Sequence, residues 1–259
     1  MVQLSATPTF NDNYVWFLEV PPSSSAVIVD PGEAYPVLKT LEERKLRLEA
    51  ILLTHHHGDH VGGVSDLLDH HSAPVFGPAR ETIAGVDHPV GGGEGTVAVP
   101  RLEIELGVID VPGHTAGHVA YLGPGFALVG DTLFAGGCGR VFEGTMEQMY
   151  ESLCKLAGLP PATEIYCAHE YTTANLKFAL QVEPGNQDLV DRFEKARVDR
   201  SADRFTVPST LAEELATNPF LRCSETTIVA AAEAHAGRTL RPGAEVFAVL
   251  RHWKDGWRG

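Results

Sequence analysis

Short apolar runs separated by polar or Gly/Pro-containing segments characterise the first two thirds of the chain. Runs of this length, bounded by turn residues, are typical of buried strands in a layered α/β fold. They occur at residues 26–29, 50–53, 107–112, 126–130 and 164–168. Between the first two runs, residues 34–46 carry Leu38 and Leu41 at helical spacing with charges between them, which predicts a helix outside the sheets.

A helical pattern follows residue 143, and after the last apolar run at 164–168 the pattern is helical again beyond residue 169. A capping box, in which a helix N-cap residue and the residue three positions later bond to each other, is predicted at Thr145 with Gln148 and at Thr210 with Glu213. We predict further helices at residues 174–182, 187–198, 210–217, 225–236 and 243–254. Because strand signals almost vanish there, we predict two domains, over residues 1–169 and 170–259.

The most unusual polar segment is THHHGDH, residues 54–60, directly after the apolar run at 50–53. Four imidazoles and a carboxylate make a poor core, because a buried polar group without a partner costs about 1 to 3 kcal/mol. A metal site explains them better. Alternate side chains of an extended segment share a face, so we expect His55, His57 and Asp59 to point one way. His60 would then turn toward a second metal position, and His56 would face away.

Three other strand-like runs also end in candidate metal ligands. The run at 107–112 is followed by His114, the run at 126–130 by Asp131, and the run at 164–168 by His169. We expect these strand ends to converge on one edge of the sheets. The predicted ligand sets are His55, His57 and His114 for one metal, and Asp59, His60 and His169 for the other, with Asp131 bridging them.

Ordered motifs then point to a known family. HxHxDH (55–60), GHTAGH (113–118), GDT (130–132) and CAHE (167–170) resemble the metallo-β-lactamase superfamily. GDTLFAGGCGRVFEGT (130–145) and AHEYTTANLKFALQVEPGN (168–186) are similar to the glyoxalase II, or hydroxyacylglutathione hydrolase, family. The resemblance runs from DNY (12–14) through NPFLR (218–222) to LRHWKDGW (250–257). It implies an αββα sandwich of the metallo-β-lactamase type, which is catalytic, followed by a smaller all-helical domain that binds substrate.

The resemblance also implies an activity. It is the hydrolysis of the thioester S-D-lactoylglutathione, an S-2-hydroxyacylglutathione, to glutathione and D-lactate, the second step of methylglyoxal detoxification. The nucleophile is a hydroxide shared by two divalent cations about 3.5 to 4 Å apart, which lower the pKa of the shared water toward about 7. Asp59 and Asp131 are the implied catalytic residues that orient it. His118, in the GHTAGH motif, is expected to be structural.

Substrate contacts and the metal follow from the same resemblance. By motif position, the residues implied to bind glutathione are Arg140, Tyr171, Arg251 and Lys254. Animal-type members carry lysine and tyrosine where this chain has Arg140 and Phe142, so the pattern looks bacterial. Five imidazoles and two carboxylates suit two Zn²⁺ ions, with iron or manganese as alternatives.

Other functions of the same fold remain open at this point. The alternatives are a hydrolase of another thioester, a lactone or a β-lactam, and an iron persulfide dioxygenase. A metallo-β-lactamase usually has cysteine where this chain has Asp131, and a persulfide dioxygenase lacks the long helical C-terminal domain. A metal-free binding module would be expected to have lost several of the seven ligands.

Composition limits the partners. The net charge of −14 argues against nucleic acid, because phosphate binding depends on Lys and Arg. Residues 240–259 carry four cations against two carboxylates, which favours an anion site for a glutathione thioester.

Four widely spaced cysteines predict free thiols, and Cys138 is not expected to be a nucleophile. Without a signal-peptide pattern or a long apolar run, we expect a cytoplasmic monomer that does not bind membranes.

Overall fold

A computed structural model describes residues 2–93 and 95–259, and most of its strands form two six-stranded sheets. The first sheet consists, in both chain and spatial order, of β1 (Gln3–Thr9), β2 (Asn13–Glu19), β3 (Ser25–Val29), β4 (Arg47–Leu52), β5 (Val75–Pro78) and β6 (His88–Val90). The pairs β1–β2 and β2–β3 are antiparallel, whereas β3 to β6 pair in parallel. Parallel neighbours need crossover connections, which α1 (Ala34–Arg44) and α3 (Val64–His70) help to form.

The second sheet contains most of the strands that precede the candidate ligands. Its spatial order is β14 (Ser209–Thr210), β13 (Glu164–Cys167), β10 (Phe126–Gly130), β9 (Val119–Gly123), β8 (Ile104–Asp110) and β7 (Gly95–Val99). β11 (Leu133–Phe134) and β12 (Gly137–Cys138) form a separate antiparallel hairpin. Each apolar run predicted as a strand overlaps one of these strands. β14, beyond residue 169, was not predicted because two residues cannot form an apolar run.

The predicted helices are present with small shifts at their ends. The remaining helices of the described residues are α2 (Gly58–Val61), α4 (Met146–Ala157), α5 (Thr172–Val182), α6 (Gln187–Ser201), α7 (Leu211–Thr217), α8 (Thr226–Ala236) and α9 (Ala244–Gly256), with a 3-10 turn at Pro100–Leu102. None of the described helices has the length and apolar character required to cross a bilayer.

Local capping explains where several helices begin and end. α1 ends at Arg44 rather than at residue 46, because Lys45 adopts a left-handed conformation with φ 53°. The capping box of α4 is complete: Gln148 N donates to Thr145 Oγ1 at 3.1 Å, and Thr145 N donates to Gln148 Oε1 at 2.9 Å. At α7, Thr210 Oγ1 accepts from the backbone N–H of Glu213 at 3.2 Å.

The chain divides into two compact units. The N-terminal unit comprises Met1–Asp110, Thr115–Pro124 and Leu128–Gly130, and the C-terminal unit comprises Val111–His114, Gly125–Ala127 and Asp131–Gly259. In the N-terminal unit, Phe17, Ile28 and Ile51 from the first sheet share a core with Val37 of α1 and Leu67 of α3. In the C-terminal unit, α5 and α6 bury a cluster that includes Leu176 and Leu189. Each such side chain contributes roughly 1.5 to 3 kcal/mol when fully buried.

Candidate metal centre

The THHHGDH segment follows β4 and changes conformation in its middle. The backbone is extended at His57, with φ −61° and ψ 143°, and α2 begins at Gly58. The expectation that strand alternation continues to Asp59 is therefore wrong, because Asp59 and His60 lie on a helical turn instead. The N–H of His60 donates to the carbonyl of His57 at 2.9 Å and closes this turn. The turn packs tightly, since a Cβ at Gly32 would lie 2.0 Å from the carbonyl oxygen of Asp59.

A buried aspartate orients this segment. Asp30, at the end of β3, accepts hydrogen bonds from the backbone N–H and the hydroxyl of Thr54 at 2.8 and 2.7 Å. Its Oδ2 also lies 3.0 Å from Nδ1 of His60. Nδ1 of His55 lies 3.1 Å from the Thr54 hydroxyl, and its Nε2 lies 3.1 Å from Nδ1 of His57. Such outer contacts fix the ring orientation of histidine ligands.

In the C-terminal unit, Asp131 lies between two histidines. Its Oδ2 is 3.3 Å from Nε2 of His114, and its Oδ1 is 3.4 Å from Nε2 of His169. Nδ1 of His114 donates to the backbone carbonyl of Arg140 at 2.8 Å. The ring of His169 stacks on Tyr171 with centroids 4.7 Å apart and an interplanar angle of 5°. Each ring thus has a protein neighbour that fixes it, and its Nε2 faces the carboxylate.

These side chains form compact groups of potential ligand atoms. In each group the atoms lie within 4.8 Å of one another, and the groups are His55, His57 and His114; His55, His60 and Asp131; Asp59, His60 and His169; and His56, His57 and Glu143. The first and third are the two predicted ligand sets. Imidazole and carboxylate are the donors that zinc, iron and manganese accept. The His/Asp clusters are consistent with a dinuclear metal site, and the residues fit two divalent cations.

Two histidines not predicted to be ligands have other contacts. Nδ1 of His56 lies 2.8 Å from Oε2 of Glu81, and Oε1 of Glu81 accepts from the N–H of Gly117 at 3.1 Å. His118 is buried and its ring stacks on that of His55, with centroids 4.7 Å apart. Glu81 thereby links the THHHGDH segment to the GHTAGH segment. Sequence reasoning missed Glu81 because it lies in no motif and no periodic pattern.

The four predicted glutathione-binding residues all lie in the C-terminal unit, in different environments. The guanidinium of Arg140 is 62% exposed and 3.6 Å from Asp255. Arg251, by contrast, is 2% exposed, and it donates to the backbone carbonyl of Cys138 at 2.8 Å and to Asp255 at 3.0 Å. Tyr171 immediately precedes α5. All of these contacts are within the protein, so glutathione binding by the four residues stays a prediction.

Lys254 lies in a mixed polar and aromatic environment. Its ammonium donates to Oδ1 of Asn175 and lies 5.8 Å from the ring centroids of both Phe178 and Phe220. The guanidinium of Arg251 lies over the same Phe220 ring at 5.2 Å, so the two cations share one face of α9. Burial, and then the charge of Arg251, lower the pKa of Lys254 to about 7.

The cysteines are free, as predicted. Burial is the largest influence on Cys138 and raises the pKa of its thiol. A thiol with a raised pKa carries little thiolate at neutral pH and is a poor nucleophile. The environment of Cys138 therefore agrees with its exclusion as a catalytic residue.

Two family models together match nearly the whole chain. The metallo-beta-lactamase superfamily model matches residues 8–169, and the model described as hydroxyacylglutathione hydrolase C-terminus matches residues 170–257. A hydroxyacylglutathione hydrolase from Nitrosomonas europaea is 48% identical over 259 residues, which is 100% of this chain and 98% of that protein. One from Halorhodospira halophila is 54% identical over 94% of this chain and 95% of that protein. The chain belongs to the hydroxyacylglutathione hydrolase family.

The solved structures agree on the fold of this hydroxyacylglutathione hydrolase family member. A B3 metallo-β-lactamase, BLEG-1, superposes with a TM-score of 0.65 at 22% identity, over 85% of this chain and 99% of that one. At this identity the likeness shows the fold alone. The predicted fold class is confirmed as a metallo-β-lactamase fold followed by a helical C-terminal region. Both relatives are bacterial, in agreement with the bacterial pattern at Arg140 and Phe142.

Proposed function

We propose that this protein hydrolyses S-D-lactoylglutathione to glutathione and D-lactate, the second step of methylglyoxal detoxification. The observation that carries the proposal is the presence of all seven predicted His and Asp ligands in compact groups, in a chain whose full-length relatives are named hydroxyacylglutathione hydrolases. The helical region after residue 169, which matches the family's C-terminal model, supports the glutathione thioester over other substrates of the fold.

We assign the ligands by their grouping. His55, His57 and His114 would hold one divalent cation, and Asp59, His60 and His169 would hold the other. Asp131, which groups with His55 of the first set and His60 of the second, would be shared between them. Zn²⁺ is our first choice, because imidazole-rich sites with carboxylates suit it, and iron or manganese are the alternatives. When bound, such cations lower the pKa of water and polarise the carbonyl that is attacked.

The two carboxylates orient the attacking water. The side-chain N–H of Asn13 donates to Oδ2 of Asp59 at 3.1 Å, and the same oxygen lies 3.7 Å from Nε2 of His60, so Asn13 orients this carboxylate beside a second proposed ligand. Asp131 is 6% exposed, so its charge acts with little screening from solvent. The leaving group is a thiolate whose conjugate acid has a pKa near 8.5, and it departs without a dedicated proton donor. We propose no general acid for this reason.

In this proposal the glutathione portion of the substrate is held by the helical region together with Arg140. Residues 1–169 form the catalytic domain and residues 170–259 the substrate-binding domain. Arg140 and Lys254 supply positive charge for the glutathione carboxylates, and Tyr171, stacked on His169, lies beside a proposed ligand. Arg251 lies on the same face of α9 as Lys254, and its guanidinium packs over the ring of Phe220.

A substrate panel with metal analysis tests this function. Purified protein is assayed with S-D-lactoylglutathione, with the same acyl group on another thiol, with a lactone and with a β-lactam. Bound metals are counted in the same samples. We expect two metals per chain, loss of activity on chelation, recovery with Zn²⁺, and a preference of roughly 10-fold or more for the glutathione ester, since several charged contacts are lost with another thiol. Preference for the lactone or β-lactam, or activity that survives removal of the metals, would contradict the proposal.

A further inference from the structure

The hairpin of residues 133–138, formed by β11 and β12, connects two parts of the proposed metal centre. Its N-terminal end follows Asp131, and its C-terminal end leads through Gly139 to Arg140. The N–H of Gly139 donates to the carbonyl of Thr132 at 3.2 Å and closes the hairpin. A Cβ at Gly139 would lie 1.9 Å from the carbonyl oxygen of Asp131 and 3.2 Å from Nδ1 of His114. A displacement of this hairpin would therefore be transmitted directly to both proposed ligands.

Two buried side chains of the helical region, one on α7 and one directly after it, hold the hairpin. Asn218 donates through Nδ2 to the carbonyl of Phe134 at 3.2 Å and to that of Gly137 at 2.9 Å. Glu214 accepts through Oε2 from the N–H of Gly136 at 2.9 Å, and the same Oε2 lies 2.9 Å from Nδ2 of Asn218, whose two hydrogens are therefore shared among three acceptors. Both side chains are 0% exposed. They bond to backbone groups of both hairpin strands and of the turn between them.

The charge of Glu214 is matched by an arginine. NH2 of Arg192, on α6, bonds to Oε1 of Glu214, and NH1 donates to the hydroxyl of Thr217 at 2.6 Å. Burial by itself would lower the pKa of Arg192, but the charge and hydrogen bond of Glu214 outweigh it and raise that pKa. Removing one partner of a buried pair leaves an uncompensated charge, which is strongly unfavourable. Glu214 is thus held firmly, and so is the Gly136 amide that it accepts from.

Two further side chains bond to two other carbonyls of the hairpin. Asn175 donates to the carbonyl of Ala135 at 3.0 Å, and Arg251 donates to that of Cys138 at 2.8 Å. The carbonyls of Phe134, Ala135, Gly137 and Cys138 each accept from a side chain of residues 170–259. Backbone fixed at this many points has little freedom to shift.

We propose that Glu214 and Asn218 are positioning residues for Asp131 and His114, so that the helical region tunes metal affinity in addition to binding substrate. This inference rests on the proposed metal-dependent function. Outer contacts to metal ligands are worth about 10- to 100-fold in metal affinity. Glu214 and Asn218 act on the ligands through the hairpin rather than by direct contact. We therefore expect a change in metal affinity at the lower end of that range.

Two variants of nearly unchanged shape test the proposal. Asn218→Asp replaces a donor that serves two carbonyls, and Glu214→Gln removes the charge while keeping the side-chain length. For each, the dissociation constant for Zn²⁺ is measured by chelator competition, and the visible spectrum is recorded with Co²⁺ in the site. We expect Zn²⁺ affinity to fall about 10-fold and the Co²⁺ bands to change, because the coordination geometry at Asp131 and His114 is altered.

Glu183→Gln is the matched control. Glu183 is also buried in the helical region and also has three side-chain partners, Arg222, Thr227 and Asn186, but none of them belongs to the hairpin. It should lose thermal stability without a change in Zn²⁺ affinity or in the Co²⁺ spectrum. Equal loss of affinity in the control and the test variants would assign the effect to general destabilisation and overturn the proposal.

The wild-type protein provides a second test that needs no substitution. Coupling between two sites is reciprocal, so metal binding must stabilise the contact between Gly136 and Glu214. Hydrogen exchange of the Gly136 amide should slow when Zn²⁺ is added to the metal-free protein, more than that of Gly185 or Gly237 in the same region. Exchange unaffected by Zn²⁺ overturns the positioning role. A wild-type protein that binds no metal instead contradicts the proposed function itself.

Discussion

Nδ1 of His114 donates a 2.8 Å hydrogen bond to the backbone carbonyl of Arg140. This bond leaves Nε2 of His114 facing Oδ2 of Asp131 at 3.3 Å. Arg140 therefore acts in two separate ways: its carbonyl orients a proposed metal ligand, while its side chain is 62% exposed, lies 3.6 Å from Asp255 and is proposed to contact the substrate. Backbone and side chain are separable by mutation, since a substitution at Arg140 removes only the guanidinium.

Arg140→Ala should raise KM for S-D-lactoylglutathione and leave the bound metal unchanged. An exposed charged contact contributes about 1 kcal/mol, which corresponds to roughly a 5-fold rise in KM. Steady-state kinetics and metal analysis of the same preparation check this. Arg197→Ala is the control, because Arg197 is 65% exposed and pairs with Glu194 on the same helix, α6. Loss of metal in Arg140→Ala would show that the side chain also supports the site.

Asp131→Ala should lose metal stoichiometry and activity together, by roughly 100-fold or more in rate. The reason is that Asp131 presents one oxygen to each of two histidines, His114 and His169, within 3.4 Å. Two metals retained with near-normal turnover would exclude the bridging assignment. Asp110→Ala serves as a control, because Asp110 ends β8, its carboxylate accepts from the N–H of Gly92, and it belongs to none of the four ligand groups found among the described residues. Asp131→Cys should shift metal preference toward softer ions.

Most of the candidate site could be predicted from the sequence, because its proposed ligands follow strands. His114, Asp131 and His169 each lie just beyond an apolar run, and apolar runs are read from local periodicity. The turn at Gly58 was missed, because a helix of four residues has no periodicity of its own. Missing this turn changed only the expected path of the chain, because Asp59 still lies with His60 and His169 in the predicted set.

Residues that act through long-range partners could not be found in this way. Glu214 lies on α7, and 78 residues separate it from Gly136, the backbone group that it binds. Glu81 has the same character, since its partner His56 is 25 residues away. Neither carboxylate belongs to a short motif. In a single sequence, a glutamate exposed on a helix cannot be distinguished from a glutamate in a buried ion pair. Only the folded chain brings these partners together.

Arg251→Met should lower stability as well as substrate affinity. The guanidinium of Arg251 is buried, and its loss leaves the carbonyl of Cys138 without this donor, which costs about 1 to 3 kcal/mol. For a chain of this size each 1 kcal/mol lowers Tm by roughly 2 to 4 °C. Thermal unfolding followed by circular dichroism, together with KM, checks this. An unchanged Tm with a raised KM would instead place the guanidinium at the substrate. Deleting residues 251–259 cannot separate these two effects.

Lys254 should make stability depend on pH in a defined window. Its pKa in the folded protein is about 7, below the ordinary value of 10.5, because of burial first and the charge of Arg251 second. Below pH 7 both folded and unfolded chains carry the proton, and the full cost of burying the charge is present. Between pH 7 and 10.5 the unfolded chain binds more protons, so this contribution to the free energy of unfolding rises with pH. The difference in unfolding free energy between wild type and Lys254→Met should rise across that window.

The same titration should appear in catalysis. If the Lys254 ammonium binds a glutathione carboxylate, kcat/KM must fall above about pH 7, because kcat/KM reports the ionisation of the free enzyme. Turnover at saturation should change less, since this contact is remote from the reacting carbonyl and holds ground and transition states about equally. Lys254→Met should show a low kcat/KM without the falling limb. Lys254→Arg keeps its charge at every pH used, so it should also lose the falling limb but retain more affinity than Lys254→Met. A falling limb that persists in both variants would assign that ionisation to another group, and Lys254 would then no longer account for glutathione binding.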